Sequence, residues 1–174
     1  MQKRMIMAIA GSCLALSNHA FSQAEVEVTW QNPEEYRDVR PANESRKRFA
    51  NNTFNKLDGY LGELAESLPE GQKLLMTVTN LDLAGEVWPA SFVGLGHSGS
   101  NVRLIKSIYI PRMTFSYQLL GRTGEVLQQG EEKLKDTSFQ DRANRFFDSE
   151  PLRYEKNMLR QWFVSTFAQE GAKN

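Results

Sequence analysis

Cysteine is almost missing from this sequence of 174 residues: there is one, Cys13, and it lies among the first 22. A single thiol cannot staple a disulfide scaffold, and beside only two histidines, His19 and His97, it cannot complete a cysteine–histidine zinc set. A membrane span needs roughly 20 consecutive apolar residues, and no stretch of that length occurs. Neither sign of charge is in excess, with 21 Lys and Arg against 21 Asp and Glu. The basic footprint of a dedicated nucleic-acid binder is therefore missing as well. Internal repeats and low-complexity linkers are also lacking.

What the chain does have begins at its amino terminus. Lys3 and Arg4 precede a short apolar run, Met5 to Leu16, and a polar segment then leads to the small-residue pattern Ala20-Phe21-Ser22. A basic end, a short apolar centre and small residues at the cut are the layout of a secretory signal peptide. Cleavage is expected after Ser22, with Ala24 as the alternative, leaving residues 23–174 as one exported domain. Lipid attachment at Cys13, within Ala10-Gly11-Ser12-Cys13, is disfavoured because the apolar run continues as Leu14-Ala15-Leu16. Losing residues 1–22 removes the cysteine, one histidine and two of the 21 basic residues, so 19 basic and 21 acidic residues remain, a formal charge of −2. A cysteine nucleophile is then excluded, and His97 becomes the sole imidazole.

Hydrophobic spacing divides the remainder into elements. Val26, Val28 and Trp30 alternate with Glu25, Glu27 and Thr29, which predicts a half-buried strand closed by Gln31-Asn32-Pro33. From Ser45 the period changes. Phe54, Leu57, Leu61, Leu64 and Leu68 recur at three and four residues, predicting a helix capped by Ser45 or Asn43 and stopped by Pro69-Glu70-Gly71. Lys73 to Leu83 is apolar on both faces and is expected inside a sheet. Ala84 to Gly99 is expected as a long connection, followed by a strand through Val102, Leu104, Lys106, Ile108 and Ile110 that Pro111 interrupts. Met113 to Leu120, the turn Gly121-Arg122-Thr123-Gly124 and Glu125 to Leu134 form a hairpin. A last helix starts near Pro151 and gathers Tyr154, Met158, Leu159, Trp162, Phe163 and Phe167 on one side. Consecutive strands without intervening helices argue for an α+β fold, with two main helices packed on a four- to five-stranded, mostly antiparallel sheet.

Gly94-Leu95-Gly96-His97-Ser98-Gly99 matches the dinucleotide fingerprint G-x-G-x-x-G, but that motif works only between a strand and a helix whose amino terminus receives the pyrophosphate. Here a strand follows, so a loop is expected and no cofactor is assigned. His97 with Ser98 and Ser100 does not make a triad, because sequence neighbours on a loop do not supply converging geometry. Asp82 and Glu86, with Glu34, Glu35 and Asp38, are the carboxylates nearest the loops. They could divide acid and base roles, although the plainer reading has Asp82 bonding backbone groups at a strand end. No compact ligand motif joins Asp82, Glu86 and His97 into a metal site. Arg40, Arg103 and Arg112 carry planar forks suited to a carboxylate or phosphate, or to neighbouring acids. Trp30, Tyr36, Trp88 and Tyr109 are candidates for a stacking surface, with core packing the simpler role for Trp30.

Val26 to Pro33 leading to Tyr36-Arg37-Asp38, Leu68 to Leu74, and Val78-Thr79-Asn80-Leu81-Asp82-Leu83-Ala84-Gly85-Glu86 resemble the exported bacterial family called domain of unknown function 3016. Ile110-Pro111-Arg112, the hairpin from Gly121 to Gly130, Leu134-Lys135-Asp136 and Tyr154 to Phe163 extend the likeness over nearly all of the mature chain. The resemblance implies export from a Gram-negative cell and supplies no activity or catalytic residue. An Asp is usual in that family where this chain has Asn80, which weakens a two-carboxylate mechanism on this strand. The expectation is a soluble periplasmic protein that binds a small ligand or an envelope protein without catalysis. Its candidate site is Asp82, Glu86, Arg103 and Arg112, and it takes neither metal nor nucleic acid. The alternative is a periplasmic hydrolase using carboxylates near Asp82 and Glu86. Oligomeric state is left open.

Overall fold

Glu25–Trp30 forms strand β1, with Val26, Val28 and Trp30 turned to the half-buried side, as their alternation predicts. The computed structural model describes residues 23–96, 99–141, 144 and 150–167. The signal-peptide reading of residues 1–22 and the readings of His97 and Ser98 lie outside them.

Helix α1, Arg46–Ala65, carries the chain from β1 to strand β2, Lys73–Asp82, and the two strands pair in parallel. Parallel neighbours cannot be joined by a tight turn, so a crossing element is required, and α1 supplies it. Strand β2 then pairs antiparallel with β5, Arg112–Leu120, which pairs antiparallel with β6, Val126–Lys135. The sheet order is β1-β2-β5-β6. Two short strands, β3 at Glu86–Trp88 and β4 at Val102–Leu104, make a separate antiparallel ribbon. Helix α2, Arg153–Phe167, closes the described chain. The molecule is thus α+β, with two helices on a mainly antiparallel four-stranded sheet.

One core joins these parts. Leu74, Met76, Val78 and Leu81 of β2 and Met113, Phe115, Tyr117 and Leu119 of β5 pack with Phe54, Leu57 and Leu61 of α1 and Met158, Leu159, Trp162 and Phe163 of α2. Phe115 lies 4.7 Å from Trp162, ring centroid to ring centroid, at 81°, an edge-to-face arrangement that adds to simple burial. Trp30 stacks on Phe54 at 4.3 Å, and its indole N–H donates to Asp58 Oδ1 at 3.0 Å.

Three expectations change. Ser45 does occupy the position before α1, but its side chain makes no capping bond; its backbone carbonyl accepts from Phe49, while Asn43 donates to the Asn101 carbonyl. The region 84–99 is not a plain connection, because it contains β3 and a 3-10 helix at Ala90–Val93. Three residues of strand exist there only because β4 offers them a partner, which no local pattern announces. The strand expected through Ile110 stops at Leu104: Tyr109 N–H bonds the Lys106 carbonyl to form a turn, and the Tyr109 carbonyl is taken by Gly85 N–H. Ile108, 71% exposed, has no core to join.

A bulge in β2 is what positions the site. Val78 pairs with Phe115 and Asn80 with Thr114, so Thr79 is the extra residue. Such an insertion shifts the alternation by one. It returns Leu81 to the core side opposite Met113 and sets Asp82 opposite Arg112.

Candidate functional site

Asp82 ends β2 and is only 7% exposed. Its cover is the segment 36–40, which Asp38 ties to the end of β2: Asp38 N–H donates to the Leu81 carbonyl at 3.4 Å, and Leu83 N–H donates to the Asp38 carbonyl at 3.3 Å. Tyr36 anchors that segment through its hydroxyl, which donates to the Val78 carbonyl at 2.8 Å, and burial pushes this phenol strongly up. Asn80 Oδ1 accepts from Arg37 N–H at 3.1 Å. The side chain at position 80 thus shapes the loop, a task an aspartate oxygen performs equally well.

Arg112 Nη1 donates to Asp82 Oδ2 at 2.8 Å, and Arg37 Nε lies 3.4 Å from the same oxygen. Burial pushes the Asp82 carboxyl up, while Arg112 and then Arg37 pull it down; burial prevails. The plainer sequence reading, in which Asp82 serves backbone groups, is replaced by this pairing with two guanidinium groups.

Arg103 binds four oxygens. Its Nη1 donates to Asp38 Oδ2 at 2.8 Å and to the carbonyls of Ala84 and Gly85 at 3.3 and 3.2 Å, and its Nη2 donates to the Arg40 carbonyl at 2.8 Å. The planar fork of β4 therefore clamps the 36–40 segment to the turn after β2. Gly85 makes this possible: its φ is +81°, and a Cβ there would meet the Leu104 carbonyl oxygen at 2.5 Å and Ile105 Cδ1 at 2.6 Å. Glu86 follows on β3, exposed, accepting from the Trp88 indole at 3.3 Å. It also accepts from the Tyr109 hydroxyl, which holds that phenol above its usual value.

These groups surround a crevice of about 320 Å³. Asp82, Glu86 and Arg112 line it together with Arg37, Asp38, Arg40 and Tyr109. Arg103 does not line it but backs its wall through Asp38. Counting Arg103, four guanidinium groups meet three carboxylates. Asp38 and Asp82 are ion-paired, whereas the Arg40 side chain is exposed and has no partner among the described residues. Among the described residues, no three His, Cys, Asp or Glu side chains are grouped to hold a metal ion.

A second, larger cleft of about 600 Å³ shares the turn after β2, taking Leu83 and Ala84 from it. Glu155 of α2 lines it and was not singled out from sequence. Its signal was its place three and four residues before Met158 and Leu159, on the apolar stripe of α2. The four aromatics considered for a stacking surface fall into two pairs: Trp30 and Tyr36 pack around Phe54, while Trp88, which also meets Phe92 and Lys106, and Tyr109, which lines the crevice, come together at Glu86. The glycine motif lies between a 3-10 helix and β4, without the strand-to-helix context that a dinucleotide requires.

An α+β domain with a charged crevice at the end of its central antiparallel pair, β2 and β5, is the class that these observations define. The chain belongs to the family described as Protein of unknown function (DUF3016), whose model matches residues 24–165. No curated protein and no solved structure matches it. No helix among the described residues is long and apolar enough to cross a membrane.

Proposed function

We propose that the protein is exported to the periplasm as a soluble, non-catalytic binding protein, and that its crevice holds a small ligand by an anionic group. The observation that carries this reading is the guanidinium of Arg40, without a partner among the described residues, on a crevice whose buried acid is already paired. A cation without a counter-charge, beside fixed hydrogen-bonding groups, receives a carboxylate or phosphate through two parallel N–H bonds. Arg37, 72% exposed at its side chain and 3.4 Å from Asp82 Oδ2, adds a second positive charge to the same crevice. Asp82, Glu86 and Arg112 form the polar wall against which the rest of the ligand orients, and Arg103 holds that wall in place. The pairing of Asp82 with two arginines favours binding over the carboxylate hydrolase reading, because a general base must be open to the proton it takes.

Calorimetric titration with phosphate, sulfate and citrate tests the site: at least one is expected to bind, and Arg40→Ala to weaken it tenfold or more. Turnover of an ester or amide substrate that disappears in both Asp82→Ala and Glu86→Ala would instead establish the hydrolase. Fractionation of the source cells, with sequencing of the mature amino terminus, tests export; a chain starting at Gln23 or Glu25 in the periplasmic fraction is expected.

A further inference from the structure

Glu155 is only 3% exposed, yet among the described residues no side chain donates to its carboxylate. Ala84 N–H donates to Oε1 at 2.7 Å, and the residue's own N–H adds a weaker hold. It has no ion pair among the described residues; Arg103 acts on it only at a distance, opposed by Asp82. A carboxyl group so withdrawn from water and so poorly compensated is costly to keep charged. It is also the one buried acid or base among the residues lining the larger cleft.

The walls of that cleft are apolar. Phe49 comes from α1, Leu83 from the turn after β2, Ile105 from beyond β4, and Leu152 from just before α2. Its volume of about 600 Å³ falls within the range of roughly 300–1,000 Å³ of small-molecule sites, which combine apolar walls with a few placed polar groups. We propose that this cleft binds a small amphipathic amine, its ammonium group pairing with Glu155 and its hydrocarbon body lying against Phe49, Leu83, Ile105 and Leu152. The amine supplies the cation that Glu155 lacks, and the apolar walls take the chain that water rejects. No residue lines both this cleft and the anion crevice, although Arg103 lines the cleft and backs the crevice wall, and the two ligands are opposite in sign.

The charged groups around the cleft are Glu44, Glu150, Arg153 and Arg103, with Asp82 behind the turn. None of them replaces Glu155 as a buried counter-ion. Burial pushes the Glu155 carboxyl up, and an ammonium ion beside it favours the charged form and pulls it back down.

Calorimetry on the mature chain with hexylammonium chloride, hexan-1-ol and sodium hexanoate reads the proposal. Hexylammonium is expected to bind at least tenfold more tightly than the other two. Glu155→Gln, which keeps an oxygen for Ala84 N–H, is expected to erase the preference. Ile105→Trp, which fills the cleft and leaves Glu155 intact, is expected to abolish binding of the amine while the thermal melt stays cooperative. The proposal is overturned if the wild-type chain binds no hexylammonium at millimolar concentration, if the three probes bind equally, or if a folded Ile105→Trp protein binds the amine undiminished.

Discussion

At the residue scale, the crevice depends on a few backbone and charge constraints that admit little substitution. Gly85 has a positive φ and sits against the Leu104 carbonyl, so any Cβ forces both a strained conformation and a shift of β4. Gly85→Ala is expected to cost about 1–3 kcal/mol, as strain at a special backbone position does. Urea denaturation measures it, and a midpoint equal to that of the wild type would show that β4 yields freely. Asp82→Ala leaves Arg112 and Arg37 without their shared oxygen and is expected to cost about 1–3 kcal/mol by the same measurement. Asp82→Asn, which keeps an acceptor, is expected to cost less.

At the scale of elements, stability rests on the layer where β2 and β5 meet the two helices. Phe115, fully buried and edge-on to Trp162, is expected to cost about 3–5 kcal/mol when replaced by Ala. Leu127 on β6 is 49% exposed, and its replacement by Ala is expected to stay within about 0.5 kcal/mol. Similar losses at both positions in chemical denaturation would contradict this picture of the core. These elements are the ones the sequence made legible. The alternation of Met113 to Leu119 and the three-and-four spacing of α1 are each written within a single segment, and each is found. What pairing alone creates was not legible: β3 needs β4, the bulge at Thr79 shows only against β5, and the clamp of Arg103 spans four separate oxygens. Asp82, Glu86 and Arg112 were picked out from sequence and do share one crevice, whereas Arg103 stands behind it. Glu155 was passed over because a glutamate near a helix start ordinarily faces water.

At the scale of the whole molecule, three carboxyl groups share a direction. Burial raises Asp58 and Asp82 above the ordinary 3.8, and Glu155 above 4.5. A raised carboxyl keeps in the native state a proton that the unfolded chain gives up, so the native state binds more protons between the two values. Stability therefore falls as pH rises from the ordinary carboxylate range through the raised values. Glu27 and Glu125 are shifted down, by Lys73 and by Thr123 respectively, and act in the opposite sense. Both are exposed to solvent, where screening leaves such pairs little weight. Denaturation midpoints followed upward from pH 4 are expected to decline, and Glu155→Gln to flatten the decline, gaining on the wild type as pH rises. A wild-type midpoint that climbs over this range would contradict the assignment of these three groups.

Binding of an anionic ligand in the crevice is the centre of this account, and it is tested most directly by calorimetric titration of phosphate, sulfate and citrate into the wild-type and Arg40→Ala proteins side by side. The expected result is a saturable heat for at least one of them in the wild type and a tenfold or greater weakening in Arg40→Ala at unchanged thermal stability. Absence of binding by all three, or equal affinity in the two proteins, would contradict it.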